Sequence, residues 1–318
     1  MGFDIVGIGH PLLDTTVRVS EDFLSNHGLS KGGMTLVSEE KVKALLSEAG
    51  RDGRAVSPGG SAANAVAVAA RMGSTAAFTG MVGDDEYGLM YGTLTSEDGV
   101  EPRLAKGRHH QGVCLVLITP DGERTLVTHL GAAQHFGKDD VGLGVLEDAK
   151  ALHIEGYLLD NEVLAETLFH MAEEARRRGI LVSLDAGDAG IIKRHGTAFR
   201  KLVEEYADVV FFNEDEAEAY TGLEPREAAA KLHEHVATAV VKLGGEGSVI
   251  VDGDGTYEIP PVRVDVVNTN GAGDAYAGAF LACLVKGEDV RRAGEKASAV
   301  AAKVVSQAGA RLSEDVSG

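Results

Sequence analysis

The 318-residue chain has little cysteine, little positive charge and no long apolar run, and each shortage removes a class of function. Its two cysteines, Cys114 and Cys283, sit inside apolar stretches without Cys-x-x-Cys or Cys/His spacing. A disulfide framework and a zinc site are therefore disfavoured, and buried free thiols in a reducing cytoplasm are expected. Lys and Arg number 30 against 49 Asp and Glu, a net charge of -19, so the surface field repels nucleic acid and anionic membranes. No run approaches the ~20 residues of a membrane span. Residues 1–10 carry neither a basic nor a long apolar leader region, and Val6 stands where a myristoylation signal has Ser or Thr. A cytoplasmic protein binding neither nucleic acid nor membrane is expected. Internal repeats and low-complexity segments are also lacking.

What the chain has is glycine. Forty-one residues are glycine, roughly twice the usual ~7%, and they cluster at the ends of apolar runs, which suggests tight turns at strand ends. Short strand-like runs alternate with longer helical ones: 4–8 then 61–72, 76–81 then 86–95, 151–154 then 162–178, 180–184 then 197–206, 209–212 then 214–221, and 239–242, with helices over 272–285 and 288–306. Alternation of this kind predicts an α/β fold, doubly wound, with a mostly parallel sheet and helices on both faces. Two stretches break the pattern, 14–37 and 112–130. The second holds Pro120-Asp121-Gly122 between two apolar runs and predicts a β-hairpin. These strands form either a small sheet over one edge of the main domain or antiparallel extensions of the main sheet. The polar tail after Gly309 is expected to fray.

Two glycine-rich segments could carry chemistry. Asn268-Thr269-Asn270-Gly271-Ala272-Gly273-Asp274 opens a small-residue helical run, so bare backbone N–H groups at a helix start could hold an anion beside the Asp274 carboxylate. Read alone, the same residues suit an ordinary Asn/Asp helix cap. Pro58-Gly59-Gly60-Ser61-Ala62-Ala63-Asn64 likewise enters a small-residue helix and puts the Asn64 amide where it could reach a polyol, or it could mark a close helix crossing.

In this order and spacing, the two segments resemble the paired signatures of the ribokinase-like (PfkB) carbohydrate and nucleoside kinases. Gly80-Met81-Val82-Gly83-Asp84-Asp85-Glu86-Tyr87-Gly88 extends the first signature, and Asn213-Glu214-Asp215-Glu216 resembles the family's Asn-x-x-Glu motif. The likeness spans residues 5–309 and implies one ribokinase-like domain over 1–318, with lid segments at about 12–37 and 110–131. It implies an ATP- and Mg2+-dependent kinase with Asp274 as general base, Gly271, Ala272 and Gly273 as an anion hole, and Arg124 approaching the transferred phosphate. It also implies a substrate pocket of Asp14, Gly32, Gly33, Gly60 and Asn64 under a small-sheet lid. ATP would lie across Asn213, Lys242, Gly244 and Gly247 and along the helix near 299–303, with Glu216 organising the magnesium. Lys242 departs from the more common Thr or Ser, and Asn268 from an Asp that helps hold a monovalent cation in many members, which puts potassium activation in doubt.

Gly9-His10-Pro11-Leu12-Leu13-Asp14, Asn270 and His153-Ile154-Glu155-Gly156-Tyr157-Leu158 look most like the adenosine-kinase-like branch. A nucleoside acceptor is expected, with Met34, Leu36, Val116 and Phe136 as candidates for a base slot. A free sugar or ketohexose phosphate is the alternative. A non-catalytic sensor is a further one, although a binding module has no use for a base beside an anion hole. A dinucleotide dehydrogenase is disfavoured because Pro11 interrupts the first glycine turn. A homodimer through the lid is an expected assembly.

Overall fold

The computed structural model describes residues 2–50, 54–307, 309–312 and 314. Fourteen strands form two separate sheets among these residues. The larger takes in β1 (Ile5–Ile8), β5 (Ala76–Gly83), β6 (Val100–Gly107), β9 (Ala151–Glu155), β10 (Leu181–Asp185), β11 (Val209–Asn213), β12 (Thr238–Lys242), β13 (Ser248–Asp252) and β14 (Gly255–Ile259). Its order is β14-β13-β12-β11-β10-β9-β1-β5-β6. Every pairing from β6 to β12 is parallel, and β13 and β14 add an antiparallel edge.

The strands between the two edges are apolar on both sides because both faces are covered, as a parallel sheet requires, whereas the edge strands β6 and β14 alternate with exposed residues. One face carries α3 (Ser61–Arg71), α10 (Ala272–Leu284) and α11 (Val290–Val305), whose Val66, Phe280 and Val300 pack on Ile5, Phe78 and Phe211. The opposite face carries α5 (Glu162–Arg177), α6 (Ala189–Arg194), α7 (Gly196–Lys201), α8 (Glu214–Thr221) and α9 (Pro225–His233) over Val6, Leu152, Val182 and Val210. The doubly wound expectation is met.

The smaller sheet has the order β3-β8-β7-β2-β4. It comprises β2 (Leu12–Arg18), β3 (Met34–Leu36), β4 (Ala55–Gly59), β7 (Gly112–Ile118) and β8 (Arg124–His129). The hairpin pairs Ile118 with Arg124, and the Thr119 hydroxyl donates to Asp121 at 2.6 Å within the turn. Leu45 of α2 (Glu39–Glu48) and Leu24 of α1 (Glu21–Asn26) close a core of their own on Val17, Leu115, Leu117 and Val127. The strands are thus no extension of the main sheet. Strand β4 joins them from outside segments 12–37 and 110–131, because Leu12–Thr16 pairs antiparallel with Ala55–Gly59. Both α2 and β4 went unread in the sequence.

The tail does not simply fray. Ala310 and Leu312 are buried, and Arg311 bonds three groups in the body of the protein. Ser313 and residues 315–318 of the same tail lie outside the described residues.

Candidate active site

In a doubly wound sheet, ligands bind beyond the C-terminal ends of the strands where the strand order reverses. Here that point lies between β1, which continues to β5 on one side, and β9 on the other. His10 and Glu155 stand at the two strand ends. The Glu155 carboxylate, buried, accepts from His10 N at 2.9 Å, His10 Nδ1 at 2.5 Å and Ala62 N at 2.9 Å. It thereby ties the turn after β1 to the first residues of α3.

Helix α3 crosses α10 with almost no side chain between them. A Cβ on Gly278 would stand 2.0 Å from the Ala65 carbonyl oxygen. The run of alanines read as either a functional or a packing motif is therefore a close crossing, and the crossing is what brings the two signatures together. Ser61 Oγ donates to Asp274 Oδ1 at 2.7 Å, and Asn64 Nδ2 donates to Asp274 Oδ2 at 2.9 Å. The ordinary cap reading fails for the Asn268–Asp274 segment. The residue before α10 is Gly271 at φ 76° with no side-chain cap, while Asn268 bonds elsewhere, accepting from Asn270 N at 2.6 Å and donating to the Gly309 carbonyl at 2.8 Å. A Cβ at Gly271 would lie 2.4 Å from the Ala310 oxygen, so glycine is required both by backbone conformation and by the tail. The Ala272 N–H reaches the Thr269 carbonyl at 3.3 Å, which leaves the next N–H groups of the turn as the helix-start donors.

A cleft of about 300 Å³ opens on these groups. Its polar end holds Asp14, Gly60, Asn64, Gly271, Gly273 and Asp274. Toward the small sheet it is walled by Leu12, Met34, Leu36, Cys114, Leu126 and Leu130. Of the expected base-slot residues, Met34 and Leu36 line it. Val116 and Phe136 do not; both are buried, Phe136 within the core under α5. Burial pushes Asp274 up to about 6, helped by Asp185 and opposed by the hydrogen bonds from Asn64 and Ser61. Burial likewise pushes Asp14 up to about 7, with Arg311 and Arg124 pulling down and Asp274 pushing up.

A second cleft, of about 780 Å³, lies on the far side of Gly273. Asn213, Lys242, Gly244, Gly247, Ala272 and Gly273 line it, with Val262, Val264, Val266, Ala301 and Ala302 as an apolar wall. Lys242 and Gly273 face both clefts. The Lys242 ammonium bonds Asp185 at 2.8 Å, and although burial opposes its charge, Asp185, Glu216 and Asp274 hold its pKa above the ordinary lysine value. Asp185, missed in the sequence, ends β10, and a carboxylate directly after an apolar strand run was its available signal.

Three expected residues stand apart. Arg124, half-buried, is the first residue of β8, feels Asp14 electrostatically and lines neither cleft. Gly32 and Gly33 lie before β3 at the open side, where Gly32 N donates to Thr125 Oγ1 at 3.2 Å. Glu216, by contrast, lines the first cleft; it is buried, and its two carboxylate oxygens accept from Asn213 N at 2.7 Å and Asn213 Nδ2 at 2.8 Å. Burial raises its pKa against the pull of Lys242.

Two clefts meeting at a helix N-terminus, with a buried carboxylate on one side and a lysine between them, suit transfer of an anionic group from one bound molecule to another. Comparison with known proteins decides which group. The family model described as pfkB family carbohydrate kinase matches residues 51–316. The chain belongs to that family. The adenosine kinase of Schizophyllum commune is 30% identical over 311 residues, 89% of each chain. Among solved structures, adenosine kinase from Sinorhizobium meliloti superposes with a TM-score of 0.91 at 30% identity, over 99% of this chain and 97% of that one. A probable sugar kinase from Rhizobium etli superposes at 0.92 and 30%, over 98% and 96%. This chain is thus a ribokinase-like ATP-dependent kinase of the adenosine-kinase-like branch, with a nucleoside or sugar hydroxyl as acceptor.

Proposed function

We propose that the acceptor is a nucleoside of the adenosine type, phosphorylated on a hydroxyl that Asp274 deprotonates. The observation that carries this reading is the two-ended acceptor cleft. Its carboxylates and Asn64 suit ribose hydroxyls, while the wall of Leu12, Met34, Leu36, Leu126 and Leu130 suits a flat base. A free sugar would leave that wall wet.

The acceptor O–H gives its proton to Asp274 as its oxygen attacks the γ-phosphorus, and the bond to the bridging oxygen of the departing ADP breaks. Charge gathering on the phosphoryl oxygens meets the backbone donors left free in the Gly271–Gly273 turn, the Gly273 N–H among them and the Ala272 N–H excepted because Thr269 already accepts it, with Lys242 beside them. ATP itself is assigned to the second cleft, its base against the valine wall and Ala301–Ala302, its phosphates toward Asn213, Gly244 and Gly247. Closure of the small sheet would carry Gly32, Gly33 and Arg124 toward the acceptor and exclude water.

A resident magnesium cage does not fit. Among the described residues no three or more His, Cys, Asp or Glu side chains are grouped to hold a metal, and Asn213 takes both Glu216 oxygens. Magnesium arriving on the ATP phosphates with its own waters would fit: it would neutralise phosphate charge, and Glu216 and Asn213 are the residues that could accept from or donate to those waters. No helix among the described residues is long and apolar enough to cross a membrane. The two free, buried cysteines support a reducing cytoplasm as the compartment. The two edge strands of the small sheet, β3 and β4, with Val56 exposed on the second, support a homodimer through that sheet, which sedimentation of a single-chain species would sink.

The deciding experiment is ADP release from Mg-ATP across nucleosides, pentoses, hexoses and their phosphates, in potassium and in sodium. Turnover with adenosine-like nucleosides, equal in both salts because the Asn268 amide is already satisfied, is expected. Preference for a free sugar would overturn the nucleoside assignment, and no turnover with any acceptor would overturn the kinase.

A further inference from the structure

Residues 309–312, beyond α11, pack behind the acceptor site. Arg311 has a side chain only 9% exposed, and its guanidinium makes three bonds: Nε to Asn64 Oδ1 at 2.9 Å, Nη1 to Asp98 Oδ2 at 2.7 Å and Nη2 to the Gly59 carbonyl at 3.4 Å. The segment carrying it is pinned on both sides. Leu312 is buried in the core under α3 and α10, the Gly309 carbonyl accepts from Asn268, and Ala310 packs on Gly271.

An asparagine amide has a donor end and an acceptor end of nearly equal shape, so its neighbours must set its direction. Asp98 holds the guanidinium by ion pairing, and a guanidinium can only donate. Asn64 must therefore turn Oδ1 toward Arg311, which leaves Nδ2 pointing at Asp274 Oδ2, 2.9 Å away. Charge-assisted donation to Oδ1 also polarises the amide and strengthens the bond that Nδ2 makes.

We infer that Arg311 is a positioning residue for the phosphoryl-transfer base: through Asn64 it fixes and strengthens the hydrogen bond that orients the Asp274 carboxylate toward the acceptor hydroxyl. The inference rests on Asp274 serving as that base. It makes the C-terminal segment a working part of the acceptor site, and it accounts for an arginine buried among polar groups at the end of the chain.

Asp274 is faced by Asp14 on β2, Asp185 on β10, Lys242 on β12 and Tyr157 after β9, as well as by Ser61 and Asn64 on α3. None of these is removed when Arg311 is replaced. Arg311→Gln should therefore lower kcat by about tenfold and move the acid limb of kcat/KM upward by roughly half a pH unit, the size of one weakened hydrogen bond. Arg311→Lys keeps the charge near Asp14 but not the fork, so it should fail to restore either value. In an Asn64→Ala background, Arg311→Gln should add less than about twofold, because the connection is already cut. Full restoration by lysine, or costs that multiply in the double variant, would overturn the inference.

A measurement on the unaltered protein covers variants that fail to fold. The Arg311 Nε–H resonance should titrate together with the Asp274 carboxyl, and a resonance that stays fixed while Asp274 titrates would overturn the inference. That titration needs no turnover. If the wild type phosphorylates nothing, the kinase reading fails while the Arg311–Asn64–Asp274 connection is still decided.

Discussion

Asp274 and Asp14 are buried carboxylates whose pKa values burial raises above the ordinary range, to about 6 and about 7, and the Asp274 charge adds to the rise at Asp14. The base must be ionised to accept a proton, so kcat/KM should rise between pH 5 and 8 along a limb that belongs to the pair rather than to either group. Asp274→Asn should lower kcat by about 10²–10⁴. The same shift has a consequence for stability. A carboxylate whose folded pKa is raised binds its proton more tightly in the folded state, so it costs nothing below the unfolded value near 3.8 and its full penalty above pH 6–7. Stability from this source falls as pH rises through that window. Asp274→Asn removes the penalty, and the variant should melt higher than the wild type at pH 8, by at most about 3 kcal/mol of stability, but not at pH 4. A melting temperature lowered equally at both pH values would show that the carboxylate is not strained by burial. At this scale the sequence revealed Asp274, Asn64 and Asp14 through their motifs. It did not reveal Ser61, Glu155, Asp185 or Arg311 in their roles, because each acts through a partner far along the chain, such as Arg311 on Asn64.

Helices α3 and α10 show how an element converts composition into geometry. Their small residues could be read as close packing or as chemistry, and the structure makes the first the cause of the second. The contact of Gly278 with Ala65 sets the separation across which Ser61 and Asn64 reach Asp274. Gly278→Ala should push the helices apart, destabilise the fold by about 1–3 kcal/mol and lower kcat even at temperatures where the variant is fully folded. Unchanged kcat in the folded variant would separate the crossing from the site. Regular elements such as α5 and β9 were legible because alternation and periodicity are local. Strand β4 was hidden because Ala55–Gly59 is short, carries Pro58 and runs straight into a helix-start glycine, and only its pairing with β2 defines it. The tail was hidden for a similar reason: a polar stretch reads as solvated until Asp98 and Asn64 appear beside it.

The whole molecule carries a net charge of -19, yet its co-substrate is a polyanion. Lys242 is held between Asp185, Glu216 and Asp274, so much of its charge is already compensated. The long-range field therefore opposes the approach of Mg-ATP, and under the proposed assignment the helix-start donors would have to hold it once it arrives. Repulsion between exposed charges reaches about 30 Å at 0.01 M salt and about 8 Å at 0.15 M. Raising the salt from the first value to the second should therefore lower the KM for Mg-ATP and leave the KM for an uncharged nucleoside nearly unchanged, since a neutral ligand does not feel the net field. Initial-rate measurements with each substrate varied in turn test this directly. A KM for Mg-ATP that rises with salt would mean that Lys242 and Arg124 attract the phosphates more strongly than the surface repels them, and the nucleotide would then be captured by its local cations rather than by backbone donors.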